Sequence, residues 1–207
     1  MPTIYANSTD GSVGAATSLW DVVHDATGAK QALFTSAHSD TAVRAGMDDA
    51  AIFRVFMSFD TSGISVAPTS ATLKIYGKAN DTSNLIVVKS TQSSADNNTF
   101  NDLDGYEVGF DDDDLTAYSS QITSWSTSGY NDITLNSTAL NDMVSEDEFK
   151  VAILNYDYDY LDVEPGSGVN VSAGMYFTQE TGTDKDPYID YTAAAGLPSV
   201  TKIMSST

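Results

Sequence analysis

The sequence has no cysteine, only two histidines and two tryptophans, and just nine basic residues against 29 acidic ones in 207 residues. Without cysteine there is no disulfide to staple the fold, no thiolate chemistry and no Cys-ligated zinc. Nine basic residues at a net charge of −20 cannot build the positive stripe that phosphate neutralisation needs. That argues against nucleic acid and anionic membranes as partners. No stretch approaches the ~20 apolar residues of a membrane helix. The opening Met1-Pro2-Thr3-Ile4-Tyr5 lacks the basic and apolar regions of a secretory leader, so synthesis and folding in a cytosol are expected. His24 and His38 stand apart from any metal-ligand spacing, and no serine sits in a Gly-x-Ser-x-Gly elbow. Among 29 acids no carboxylate pair stands out for glycoside hydrolysis. The reading is of a non-enzyme.

What is present favours strands joined by polar loops. Only five acids are glutamates, and Asp, Asn, Ser, Thr and Gly are abundant. Their short polar side chains bond back to the local backbone and so favour turns over helix. From Ile52 to Asp60 the residues Phe53, Val55, Met57 and Phe59 alternate with Ile52, Arg54, Phe56 and Ser58. Both faces are apolar enough for a central strand covered on both sides. Ala71–Lys78 alternates cleanly, with Ala71, Leu73, Ile75 and Gly77 inward. Leu85–Lys89 is a short β-branched run. Further strands are expected at 132–135, 148–156, 174–178 and 187–192. Weaker ones fall at 3–6, 19–24, 32–37 and 43–47. Asn136 or Ser137 can cap a single short helix ending near Val144, with Leu140 and Met143 on its apolar side. These elements predict an all-β, jelly-roll-like antiparallel sandwich over residues 1–192, interrupted by a long acidic loop at 94–118. Residues 193–207 read as a linker and a C-terminal assembly arm.

The order of these motifs resembles the carbohydrate-binding-module-like jelly-roll family named for its DNRLRE signature. The resemblance runs through Arg44-Ala45-Gly46-Met47, Phe53–Asp60, Ser70–Tyr76, Trp125, Tyr130–Asn136 and the closing Pro187–Tyr191, covering most of residues 3–192. Two features depart from the family: the Asp10-Gly11 segment lacks a longer asparagine loop, and the acidic insert is atypical. The resemblance implies a β-sandwich with a surface role, of the kind found in tailed-phage structural proteins and bacterial surface proteins. It carries no catalytic residues.

Three groups of residues are candidates for function. Asp111-Asp112-Asp113-Asp114, with Asp102 and Asp104, could supply oxygens to a structural calcium, the one cofactor considered. The alternative is a solvated acidic loop. Tyr156-Asp157-Tyr158-Asp159-Tyr160 alternates at the strand period, which would line the tyrosines on one face as a sugar-stacking platform, joined by Trp125. Alternatively these rings simply finish the core. Leu197, Val200, Ile203 and Met204 give the C-terminal arm apolar contacts for neighbouring subunits. Two functions follow as expectations. The first is a virion structural protein, a capsid decoration or tail-associated module made in the host cytoplasm and contacting other virion proteins and copies of itself. The second is a carbohydrate-binding module of an extracellular or cell-surface protein.

Overall fold

The computed structural model describes residues 1–17, 19–24, 31–32, 37–47, 50–91 and 115–194. Among them are eleven strands: β1 (Thr3–Tyr5), β2 (Gly11–Ala16), β3 (Gln31–Ala32), β4 (His38–Gly46), β5 (Ala51–Asp60), β6 (Ser70–Asp81), β7 (Leu85–Lys89), β8 (Tyr130–Thr134), β9 (Glu148–Asn155), β10 (Asn170–Tyr176) and β11 (Tyr188–Thr192). Two short helices accompany them, α1 (Trp20–His24) and α2 (Ser137–Ser145). Every strand pairing is antiparallel. The protein is an all-β sandwich.

The central strand divides the sheet. β2 takes one edge of β5 along Ala51–Phe56. The other edge is shared, by β4 along Ala51–Phe53 and by β9 along Val55–Asp60. The sheet therefore forks at Arg54. One layer runs β3-β2-β5-β9-β7, and the other leaves through β4 to β10 and β6. β6 then divides its own length. Its first seven residues pair with β11 and β8, and the stretch from Gly77 to Asn80 pairs with β10. Gly77 sits at that change of partner, where a Cβ would lie 1.9 Å from the Ser126 carbonyl oxygen. Only a residue without a side chain fits so close an approach.

The main core lies between the layers. Val55, Met57, Phe59, Val151 and Ile153 from one side meet Leu73, Ile75, Ala173 and Met175 from the other. α2 closes one end through Ala139 and Met143, with Asn136 as its N-cap, accepting from the Ala139 N–H. Each fully buried side chain of this size contributes about 1.5–3 kcal/mol relative to exposure. A second core covers the outer face of the first layer, where Val13, Ile52, Phe56, Ile86, Ala152 and Leu154 pack against Trp20 and Val23 of α1. The two apolar faces read from β5 thus correspond to two cores, and every residue from Ala51 to Phe59 is buried.

Two expectations are corrected, and one strand was not foreseen. Residues 19–24 form a helix rather than a strand, because Trp20 and Val23, three apart, both turn onto the second core. That adds a second short helix to the one expected. β2 carries no sequence signal, being built of small residues. At Gly14 a Cβ would stand 2.4 Å from the Phe53 ring, so the large neighbouring ring dictates the small residue. The second correction concerns Tyr156–Tyr160. These residues form one turn of π-helix directly after β9, not a strand. The acidic-loop residues 94–114 and the arm residues 195–207 lie outside the described residues; Leu115 and Ala117 rest against the second core and Tyr118 is buried in the main one.

Candidate functional site

The π turn takes the tyrosine–aspartate alternation out of the strand period that would line the tyrosines on one face. Asn155 caps the turn by accepting from the Tyr158 N–H at 2.9 Å. The winding brings Tyr156 and Tyr160 into a stack, with centroids 5.4 Å apart. All three tyrosines lie partly buried against the second core. Asp157 points the other way and accepts from Asn84 Nδ2 at 2.8 Å. Asp159 is drawn inside, where it meets the guanidinium of Arg54. Nε donates to Oδ2 at 2.9 Å and Nη2 to Oδ1 at 2.7 Å. Arg54 is 0% exposed and Asp159 2%. A buried guanidinium without a carboxylate would cost several kcal/mol, so the segment folds to deliver one.

His24 completes this cluster from α1. Its Nε2 lies 3.0 Å from the Asp159 carbonyl oxygen, its Nδ1 lies 3.3 Å from Asp162, and its own carbonyl accepts from Arg54. Trp20 stacks on the imidazole at 5.7 Å. Arg54, His24 and Asp159 are sealed from solvent, so their chemistry is to pin the π turn and α1 to β5. A second network holds α2: Lys89 donates to Glu146 and Asp142, and Tyr118 Oη donates to Asp142 at 2.6 Å. The hydrogen bond to Glu146 is the largest of the effects that hold the Lys89 pKa above its ordinary value.

Trp125 is buried in the main core and donates its indole N–H to the Gly174 carbonyl at 3.1 Å. It is a core anchor, with no ring face for a sugar. Asp102, Asp104 and Asp111–Asp114, like Leu197, Val200, Ile203 and Met204, fall outside the described residues. Among the described residues no group of three or more His, Cys, Asp or Glu is arranged to hold a metal.

The outer face of the second layer presents a feature that no single segment announces. Tyr5 stands opposite Tyr188, Tyr76 opposite Tyr130, and His38 opposite Tyr176 in the strand registers. Consecutive rings touch along the whole row. Centroids are 5.6 Å apart from Tyr5 to Tyr188, 5.1 Å to Tyr130, 5.2 Å to Tyr76, 5.5 Å to Tyr176 and 5.2 Å to His38. The three central pairs meet edge to face, the geometry that an aromatic quadrupole prefers. Hydroxyl groups fix two of them: Tyr76 donates to Ser128, and Tyr130 to the carbonyls of Asp184 and Asp186.

None of these five tyrosines is fully buried, and Tyr5 is 47% exposed. Cations and polar groups rim the row. Lys185 lies 4.0 Å from the Tyr176 ring, Lys78 5.5 Å from the same ring, and Lys74 pairs with Asp132 at 2.7 Å beside Tyr188. Burial, reinforced by the neighbouring phenols, raises the Tyr130 pKa above its usual value, so this phenol keeps its proton and can donate. Sequence reading missed this row because its members come one to a strand. Only the alternation of Lys74, Tyr76 and Lys78 on the outward face of β6 hinted at it.

No family model matches the chain, and no curated protein is similar to it at a significant level.

Proposed function

We propose that this protein is a non-enzymatic surface module that takes carbohydrate on the tyrosine face of its second layer. The row from Tyr5 to Tyr176 carries this reading. The exposed Tyr5 and the partly exposed rings beside it offer apolar contact to sugar ring faces, while phenol, lysine and carboxylate groups at the rim match sugar hydroxyls. Tyrosine supplies such contact at low entropic cost, because few torsions must be frozen. The polar clusters elsewhere support a non-catalytic role, since Arg54, Asp159 and His24 are spent on joining elements. The reading moves the sugar face from Tyr156, Tyr158, Tyr160 and Trp125 to the opposite side of the sandwich.

The setting we favour is a virion, with the domain serving as a capsid decoration or tail-associated protein that contacts other virion proteins and copies of itself. The resemblance to the DNRLRE-type jelly-roll family and the rigid two-layer body support it. A carbohydrate-binding module of a cell-surface or polysaccharide-active protein is the second reading, favoured by the same tyrosine row.

A glycan array with the full chain tests the binding. Wild type should retain a defined set of glycans, and Tyr76→Ala with Tyr130→Ala should lose at least tenfold in affinity for them. A fully folded wild type that retains no glycan would overturn the reading. Detection of the chain in purified particles decides between the two settings.

A further inference from the structure

The tyrosine row belongs to a chain of net charge −20, yet three lysines gather beside it. Alternation puts Lys74 and Lys78 with Tyr76 on the outward face of β6, and Lys185 comes from the segment before β11. None of the three stands alone. Lys74 Nζ meets Asp132 at 2.7 Å, Lys78 meets Asp40 at 3.6 Å and Lys185 meets Glu180 at 3.5 Å. The hydrogen bond that Lys74 donates to Asp132 is the largest of the effects that hold its pKa above the ordinary value. In the first two pairs the acid is the outer member. The side chains of Asp132 and Asp40 are 61% and 70% exposed, against 19% for Lys74 and 25% for Lys78. A fourth carboxylate, Asp190, lies two residues beyond Tyr188 on the same face of β11 and accepts from the Thr3 hydroxyl at 2.5 Å.

We propose that this face selects uncharged glycans and turns away anionic ones, those that carry sialic acid, uronate or sulfate. The inference rests on the carbohydrate reading above and adds to it the class of sugar. An anionic group gains a lysine here only by displacing a carboxylate that already holds it, and the displaced carboxylate stays beside the newcomer. Like charges brought together at a contact act against the wrong partner without adding any attraction for the right one. An uncharged sugar meets no such penalty, because its hydroxyls donate to carboxylates and accept from lysines and phenols. Asp132 and Asp190 stand two residues from Tyr130 and Tyr188 on their strands, so both guard the middle of the row.

The test measures the affinity of the full chain for each uncharged glycan that it retains and for the sialylated or sulfated form of the same glycan. At low salt the anionic form should bind about tenfold more weakly. The gap should narrow in ~1 M salt, where the Debye length falls to about 3 Å. Asp132→Asn with Asp190→Asn should cut the ratio of the two affinities at least about threefold. Asp21→Asn with Glu164→Gln makes an equal change of charge on the side of α1 and the π turn, and should leave that ratio as it is. Near-ultraviolet circular dichroism checks that both variants keep the native packing. Anionic forms that bind as tightly as their uncharged counterparts would overturn the selection and leave the carbohydrate reading in place. So would a ratio that ignores Asp132→Asn with Asp190→Asn, or that moves equally with both pairs of substitutions. A folded wild type that retains no glycan would remove the carbohydrate reading itself, and the selection with it.

Discussion

The two outer faces of the sandwich obey the same alternation and end in opposite states. On the first layer, Ile52, Phe56, Ile86 and Leu154 point outward, and the chain covers them with α1, the π turn and residues 115–117. On the second layer, the outward positions hold Tyr5, Lys74, Tyr76, Tyr130, Tyr176 and Tyr188, and they stay accessible to solvent to varying degrees. The difference is one of side-chain chemistry. Aliphatic side chains must be roofed by the protein itself, and the roof here is anchored by an ion pair. Tyrosines carry their own polar ends and can stay partly exposed without a roof. One face is thus closed by the chain itself, and the other is left open to solvent.

The comparison breaks most readily at the anchor. Asp159→Ala leaves the Arg54 guanidinium buried and unpaired, and should cost about 3–5 kcal/mol by chemical denaturation. The double change Arg54→Met with Asp159→Leu should recover much of that loss. If it does not, the pair is needed for more than neutralising its own charge.

The buried carboxylate of Asp10 gives the next effect, through pH. Burial raises Asp10 from 3.8 to about 7, against the opposing hydrogen bonds from Thr178. The native state therefore holds a proton that the unfolded chain releases near pH 4. Stability should fall as pH rises from about 4 to about 7, by on the order of 3–4 kcal/mol, and level off above. Asp10→Asn should flatten that slope in a denaturation series across this pH range.

Smaller still is the cost of cutting the open face. Tyr76→Ala should lose only about 1 kcal/mol of stability, the worth of an aromatic pair on a half-exposed surface, while binding falls at least tenfold. A stability loss as large as that of Asp159→Ala would make the row a structural seam and remove the contrast. The smallest effect is a gain. Thr82 holds a φ of 52° with a β-branched side chain, and Thr82→Asn should raise stability by up to about 1 kcal/mol.

How far the sequence revealed this molecule depends on whether a signal was local. β5, β6, β7 and α2 announce themselves because burial imposes a period within each segment. The double apolar face of Ile52–Phe59 even told of two cores, although Arg54 among them gave no hint of its partner 105 residues away. Local reading misled where five residues mimic a period. Tyr156–Tyr160 alternates like a strand, yet a buried cation upstream decides its conformation. α1, only five residues long, carries too little pattern to separate helix from strand. The tyrosine row was illegible for the opposite reason. It is a property of register between five strands, and no window along the chain contains two of its contacts.

The pairing of β1 with β11 has a mechanical consequence. Thr3 lies beside Asp190, and the Tyr191 N–H bonds the Pro2 carbonyl, so the first and last strands leave the body at the same corner. A load applied through both exits would peel their hydrogen bonds one after another instead of shearing them together. The same body hung from one exit alone carries no tension across that seam. Pulled from both exits, the fold would open like a zipper along this seam.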